Sequence, residues 1–278
     1  MKILPEQIAE ELNHSFTITQ KQVDFFALNG YIKIKNILSP ELVQYMNETI
    51  SAEVEKLNTQ HLSMEQRDTY GKAFLQIMNI WKGSATVKQI IFGKRLAKMA
   101  AELMSVSGVR LYHDQALFKE PSGGHTPWHA DQYYWPVSTD KTVTAWIPLQ
   151  EIGLEFGPLE FSAKSQTLEE GRTLKISDDS EALIQNKLTL NDFEKVVEPF
   201  DVGEISFHTG WTFHRAGPNT TKNMRKVMTI IYMDKDMRLM EPKNENQIAD
   251  WHAWCPGAVV GEVIDTPLNP VLYQNKLL

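Results

Sequence analysis

The sequence predicts a mainly β protein, an antiparallel sandwich or barrel that follows a helical N-terminal third. Two observations carry this expectation. From Val109 onward, short apolar runs are separated by Pro, Gly, Asp and Ser, the texture of many short antiparallel strands. Before that point, helical signals crowd the first hundred residues. No strong linker divides the chain, so one domain is expected, with a helical part at about 1–105, a β core at about 106–240 and an extension at 241–278.

The individual elements follow from local chemistry. Thr19 is placed to cap a helix over 20–29, and Gly30 to stop it. The alternation in YIKIKNI predicts a strand over 31–37. Ser39-Pro40-Glu41 opens a helix running to about Leu57, with Ser as cap and Pro in the first turn. Apolar residues at helical spacing predict one long helix over 86–104. The β-rich runs are VRLYHDQALFKE, TVTAWIPLQ, LEFSA, EISFH and KVMTIIYM. The polar, acidic stretch 165–195 is expected to be an insertion or a lid.

Composition removes several classes. With 278 residues, 42% of them hydrophobic, the chain can bury a sizeable core. A net charge of −7 gives no basic field to draw in a nucleic acid. The single cysteine, Cys255, rules out an internal disulfide and suits a reducing cytoplasm. The opening MKILPEQIAEELNHSF lacks the apolar run of a signal peptide, and no window reaches the length of a membrane span.

The segment PWHADQYYW sets His129 and Asp131 two apart. On extended backbone such residues share a face, so imidazole and carboxylate stand side by side, as two ligands of one ion must. His214, in WTFHRAGPN, is a candidate third ligand. Two His and one carboxylate form the facial triad of non-haem iron oxygenases, which leaves three metal positions open. By itself an HxD pair also fits an ordinary strand with a surface His and Asp.

Longer stretches carry a resemblance. WHADQYYWPVSTDKTVTAWIPL resembles the metal strand and following loop of the phytanoyl-CoA dioxygenase family. HTGWTFHRAGPNTTKNMRKVMTIIYM resembles that family's distal-histidine region. FFALNGYIKIKNILS, GPLEF and WCPGAVVGEVIDTPLNPVLY are similar to its members as well, so the likeness spans about residues 20–273. It implies a double-stranded β-helix (jelly roll, cupin-like) with helices packed outside. It assigns His129, Asp131 and His214 to Fe(II) and Arg225, eleven residues after His214, to the far carboxylate of 2-oxoglutarate. A guanidinium can hold a carboxylate through two parallel hydrogen bonds, as lysine cannot. Lys119 and Trp146 fall where the family places cosubstrate contacts. Two departures, Gln166 where histidine is common and LEFG in place of a DNG turn, are expected near the mouth of the sheet and bear on the substrate.

Other residues have competing readings. His214 is preferred to His208 as distal ligand because it matches the motif and the spacing to Arg225. His113 and His125 are read as satisfied core or surface groups. Trp128, Tyr134, Trp135 and Trp211 crowd the metal segments, and Tyr134, Trp135, Trp211 and Gln132 are candidates to line a substrate pocket. Arg215 is a candidate for a substrate anion, against the plain reading of an outward-facing charge.

The resemblance implies a dioxygenase that consumes 2-oxoglutarate and O2, releases succinate and CO2, and hydroxylates an unactivated C–H of a small or medium-sized molecule. Relatives that halogenate replace the carboxylate ligand with a small residue, so Asp131 points to hydroxylation. Two rivals remain: a zinc hydrolase using the same His2Asp set, and a catalytically silent ligand-binding β-helix. Oligomeric state is not legible.

Overall fold

The computed structural model describes residues 4–275. The N-terminal part holds helices α1 (Glu6–Asn13) and α2 (Gln20–Asn29), strand β1 (Tyr31–Ile34), and helices α3 (Pro40–Leu57) and α4 (Thr69–Ala73). Strand β2 (Leu75–Met78) and helices α5 (Ala85–Ile91) and α6 (Lys94–Met104) follow. Next come β3 (Gly108–Phe118), β4 (Thr126–His129), β5 (Thr142–Pro148) and β6 (Leu159–Ser162). Helix α7 (Asp178–Leu190) precedes β7 (Lys195–Val197), β8 (Ile205–Thr209), β9 (His214–Ala216) and β10 (Val227–Asp234). Helix α8 (Glu245–Trp254) and β11 (Val271–Gln274) close the chain.

Several of these elements obey their capping chemistry. The Thr19 hydroxyl accepts from the Gln22 N–H in a capping box, and Gly30 ends α2 in the left-handed region at φ 76°. The Ser39 hydroxyl accepts from the Leu42 N–H with Pro40 in the first turn of α3. Two expectations need correction. The helix over 86–104 is two helices, broken at Gly93, whose backbone is extended (ψ 131°) where it passes α1. A Cβ there would sit 3.1 Å from the Leu12 carbonyl oxygen, so helix α1 lies against the break. The strand over 31–37 stops at Ile34, because Asn36 takes a positive φ of 58° and turns the chain into α3.

The strands form a double-stranded β-helix. One sheet runs β1-β8-β5-β10-β3-β11, with β2 also paired to β3, and the other runs β4-β9-β6-β7. Strand alternation sorts the large sheet into two faces. Val143, Ala145 and Ile147 of β5, Phe207 of β8 and Ile230 of β10 join the main core, together with Phe26, Met46, Ile50 and Met99 from the helices outside. Each of these buried side chains other than Ala145 contributes roughly 1.5–3 kcal/mol. The residues between them, Thr144, Trp146, His208 and Thr229, face a cavity of about 450 Å³ that the small sheet also lines.

The acidic stretch 165–195 is a covering element. Ser177 caps α7, and Ile184 and Leu188 pack with Trp128 and Phe213 behind the small sheet. Among the described residues, no helix is long and apolar enough to cross a membrane.

Candidate metal and cosubstrate site

The three residues singled out for a metal converge at one end of the cavity. His129 ends β4, Ala130 stays extended (φ −122°, ψ 127°), and Asp131 opens a 3-10 turn, so the two side chains keep a common face. His214 begins β9 and lies directly opposite His129 in the antiparallel ladder. One ligand atom from each of His129, Asp131 and His214 lies within 4.8 Å of the others. His129 Nε2 is 3.5 Å and His214 Nε2 3.7 Å from Asp131 Oδ1.

Each group is oriented from behind. His129 Nδ1 is 2.7 Å from the Pro127 carbonyl oxygen, and His214 Nδ1 is 3.0 Å from that of Thr212. With Nδ1–H donating outward, each Nε2 lone pair is left for the centre. Thr144 Oγ1 donates to Asp131 Oδ2 at 3.1 Å, leaving Oδ1 toward the imidazoles. Burial alone would raise the Asp131 carboxyl, but the neighbouring His214, His129 and His208 hold it well below its ordinary range. His214 is pushed well below its ordinary value, by burial first and then by His129 and His208. An ionised carboxylate and a neutral imidazole are the forms a divalent cation binds. His208 is a close neighbour, its Nε2 3.4 Å from Asp131 Oδ2, yet it stays outside the cluster of three.

Arg225 lies in the wall of the same cavity, 2% exposed. One terminal nitrogen donates to the Gly157 carbonyl, and Nε has no hydrogen-bond partner among the described residues. No carboxylate pairs with it there, and burial lowers its pKa to about 9. The guanidinium stands 5.6 Å from the centroid of the Trp146 ring, which also lines the cavity. The LEFG turn therefore has a role in holding Arg225. Gly157 takes φ 68°, and a Cβ there would come within 2.2 Å of the Gly217 carbonyl oxygen.

Lys119 is fully buried behind this wall. Its Nζ donates to the carbonyls of Gly124 (2.6 Å) and Gly217 (2.8 Å), and burial, then Arg225, lowers its pKa to about 6. It thus fixes the loops flanking Arg225 without reaching the cavity itself.

The aromatic and polar candidates divide. Tyr134 and Trp135 line the cavity. Gln132 lies outside the wall, donating to the Thr139 carbonyl at 2.7 Å and accepting from Thr142 Oγ1. Trp211 also lies outside, with the Arg172 guanidinium 4.6 Å over its ring. Arg215 pairs with Glu160 at 2.9 Å and Glu181 at 2.6 Å, which ties β9 and β6 to α7. Gln166 donates to the Leu28 carbonyl at the end of α2, again away from the cavity. His125 is exposed, 4.0 Å from Asp178. His113 departs from its reading as a satisfied group: it is buried, lines the cavity and leaves Nδ1 unpartnered among the described residues. Asn246, Asp250 and Trp254 of α8 line the cavity too. Nothing local in the sequence points to them, because their placement depends on α8 folding back over the sheet.

A model of the phytanoyl-CoA dioxygenase family matches residues 26–227. The chain belongs to this family. Among curated relatives, the family member is 20% identical over 220 residues to a probable alpha-ketoglutarate-dependent hypophosphite dioxygenase of Stutzerimonas stutzeri, covering 74% of this chain and 76% of the relative. Among solved structures it is similar to the epimerase SnoN in complex with Fe3+, alpha ketoglutarate and nogalamycin RO. The TM-score is 0.73 at 22% identity, over 91% of this chain and 98% of SnoN. It is similar also to the alpha ketoglutarate dependent carbocyclase SnoK from nogalamycin biosynthesis, with a TM-score of 0.72 at 20% identity over 93% and 99% of the two chains.

Proposed function

We propose that this chain is an Fe(II)- and 2-oxoglutarate-dependent dioxygenase that hydroxylates an unactivated C–H bond of a small or medium-sized organic substrate. The observation that carries the proposal is the buried Arg225. A fully buried guanidinium without a carboxylate is costly, and it is kept in the wall of the cavity that holds the triad. A dicarboxylate that reaches from metal to guanidinium supplies the missing partner. Arg225 would hold the 5-carboxylate of 2-oxoglutarate, with Trp146 as the adjoining wall.

His129, Asp131 and His214 would hold iron(II), their imidazole and carboxylate donors suiting this ion. Loaded in this way, the site supplies the oxidising chemistry, in which decarboxylation of 2-oxoglutarate to succinate and CO2 is coupled through O2 to attack on a C–H bond. The chain's own work is to orient the ligands through the Pro127, Thr212 and Thr144 hydrogen bonds and to exclude bulk water. Relatives named for carbocyclisation and epimerisation mark other outcomes of the same site. Retention of the Asp131 carboxylate supports hydroxylation here. A zinc hydrolase would leave Arg225 without a role. The unpaired Cys255 suits a reducing cytoplasm.

Melting experiments test this without knowledge of the substrate. Mn(II), an oxygen-inert stand-in, is expected to raise the melting temperature, and 2-oxoglutarate to raise it further only when metal is present. A ligand at one hundred times its Kd stabilises by about 2.7 kcal/mol. Arg225→Met is expected to keep the metal shift and lose most of the second one. An increment for 2-oxoglutarate that Arg225→Met leaves intact overturns the cosubstrate assignment.

A further inference from the structure

The cavity has a second polar wall that metal and cosubstrate leave unused. Asn246, Asp250 and Trp254 are spaced four apart on α8, so they share one helix face, and all three line the cavity. His113 of β3 stands beside them, its ring centroid 5.1 Å from that of Trp254. Tyr134 and Trp135 add aromatic surface to the same cavity.

Asp250 is held in place but not saturated. Tyr112 Oη donates to Oδ2 at 3.0 Å and Trp254 Nε1 donates to Oδ1 at 3.2 Å. Each carboxylate oxygen keeps further acceptor capacity. No cation pairs with Asp250 among the described residues. Burial pushes its pKa up to about 7, against the pull of Tyr112 and Trp254, and Asp131 adds to the rise. His113 is driven down to about 4 by burial, so it is a neutral neighbour near neutral pH. Of the other charged groups on the wall, Asp131 and Arg225 belong to the metal end and Lys175 is solvent-exposed.

We propose that Asp250, with Trp254, Tyr134 and Trp135 around it, binds a protonated amine of the substrate, so that this dioxygenase acts on small organic amines. The assignment rests on the dioxygenase reading, since it places the amine in the cavity of the same metal. A carboxylate held by the Tyr112 and Trp254 hydrogen bonds favours an ammonium group over a hydroxyl of equal size, through charge-assisted hydrogen bonding. His113, Ile231 and Thr144 stand in one row across neighbouring strands, and Thr144 touches Asp131, so the amine end and the metal end share one wall of the cavity.

The test uses the whole protein with three probes of matched size: 2-phenylethylamine, 2-phenylethanol and phenylacetate. Affinities are measured by calorimetry on the protein loaded with Mn(II) and 2-oxoglutarate, and again on the metal-free protein. The amine is expected to bind about tenfold more tightly than the alcohol, and the carboxylate more weakly than either. Asp250→Asn is expected to weaken the amine about tenfold, to leave the alcohol unchanged and to keep the 2-oxoglutarate melting increment. Equal affinity for amine and alcohol, or an Asp250→Asn protein that binds the amine like wild type, overturns the proposal. If Asp250→Asn does not fold, Trp254→Phe removes the hydrogen bond to Oδ1 and keeps an aromatic ring. It is expected to weaken the amine roughly threefold, and unchanged affinity overturns the proposal equally. Absence of the 2-oxoglutarate increment in wild type counts against the dioxygenase reading alone, because amine discrimination is read independently on the metal-free protein.

Discussion

The two ends of the cavity are built differently. The metal end takes its side chains from β4, β9 and the approach to β10, all inside the segment 26–227 matched by the family model. Each of its groups is pinned by a second contact: Pro127 behind His129, Thr212 behind His214, Thr144 on Asp131, and Gly157 on Arg225. The other end takes Asn246, Asp250 and Trp254 from α8, which begins after that segment. On the proposals above, chemistry stands on strands locked into two sheets, and recognition on a helix packed against β3. A site held to a few tenths of an ångström suits the first task, and a replaceable wall suits the second.

Removing a metal ligand should break this contrast most severely. His129→Ala or His214→Ala is expected to abolish succinate formation and the Mn(II) melting shift, while cooperative melting persists because the sheet core is untouched. Asp131→Gly keeps both imidazoles and is expected to lose hydroxylation as well. Wild-type succinate formation in any of the three would show that the ligands lie elsewhere.

Arg215 separates structural from chemical roles at the metal end. It follows a proposed ligand directly, yet its guanidinium is occupied by Glu160 and Glu181 and lies 4.8 Å over the Trp128 ring. Arg215→Ala should therefore lower unfolding stability by about 1–3 kcal/mol, the scale of hydrogen bonds to charged groups. The KM for 2-oxoglutarate should stay near wild type. A large rise in KM with stability intact would assign Arg215 to ligand binding.

The sequence disclosed the strands and the metal end because both rest on short-range pattern. Alternation in TVTAWIP marks β5 and its two faces, and the two-residue spacing of His129 and Asp131 survives as a shared face. Arg225 was legible only by resemblance, since KNMRK by itself reads as a surface charge. What was missed depends on long-range packing. The break at Gly93 reflects the approach of α1, and no local signal says that Asp250 will be roofed by Tyr112 and Trp254. Gln132, Trp211 and Arg215 lie near the ligands in sequence but point into other contacts: Arg215 follows His214 on β9, where successive residues face opposite sides, and Gln132 and Trp211 sit in turns outside the strands.

A fully buried carboxyl outside the cavity sharpens the contrast with Asp250. Asp114 is next to His113 on β3 but binds into the packed side of the sheet, accepting from the Ile80 N–H at 3.1 Å. Burial raises its pKa to about 7, although backbone hydrogen bonds from Ile80 and Trp81 oppose the rise. The unfolded chain gives up this proton near pH 4 and the folded chain keeps it until about 7. The folded state therefore binds more protons in that window, and the group's contribution to stability falls as pH rises from about 4 through 7, by an amount on the order of a few kcal/mol. Asp114→Asn removes the titration, so the difference in stability between variant and wild type should shift in the variant's favour across that window and level off above it. Urea unfolding at pH 5, 6, 7 and 8 measures this directly. Because Asp114 faces away from the cavity, amine affinity in the variant should follow wild type at every pH. A variant whose stability runs parallel to wild type from pH 5 to 8 would mean that burial does not raise the Asp114 carboxyl into that range.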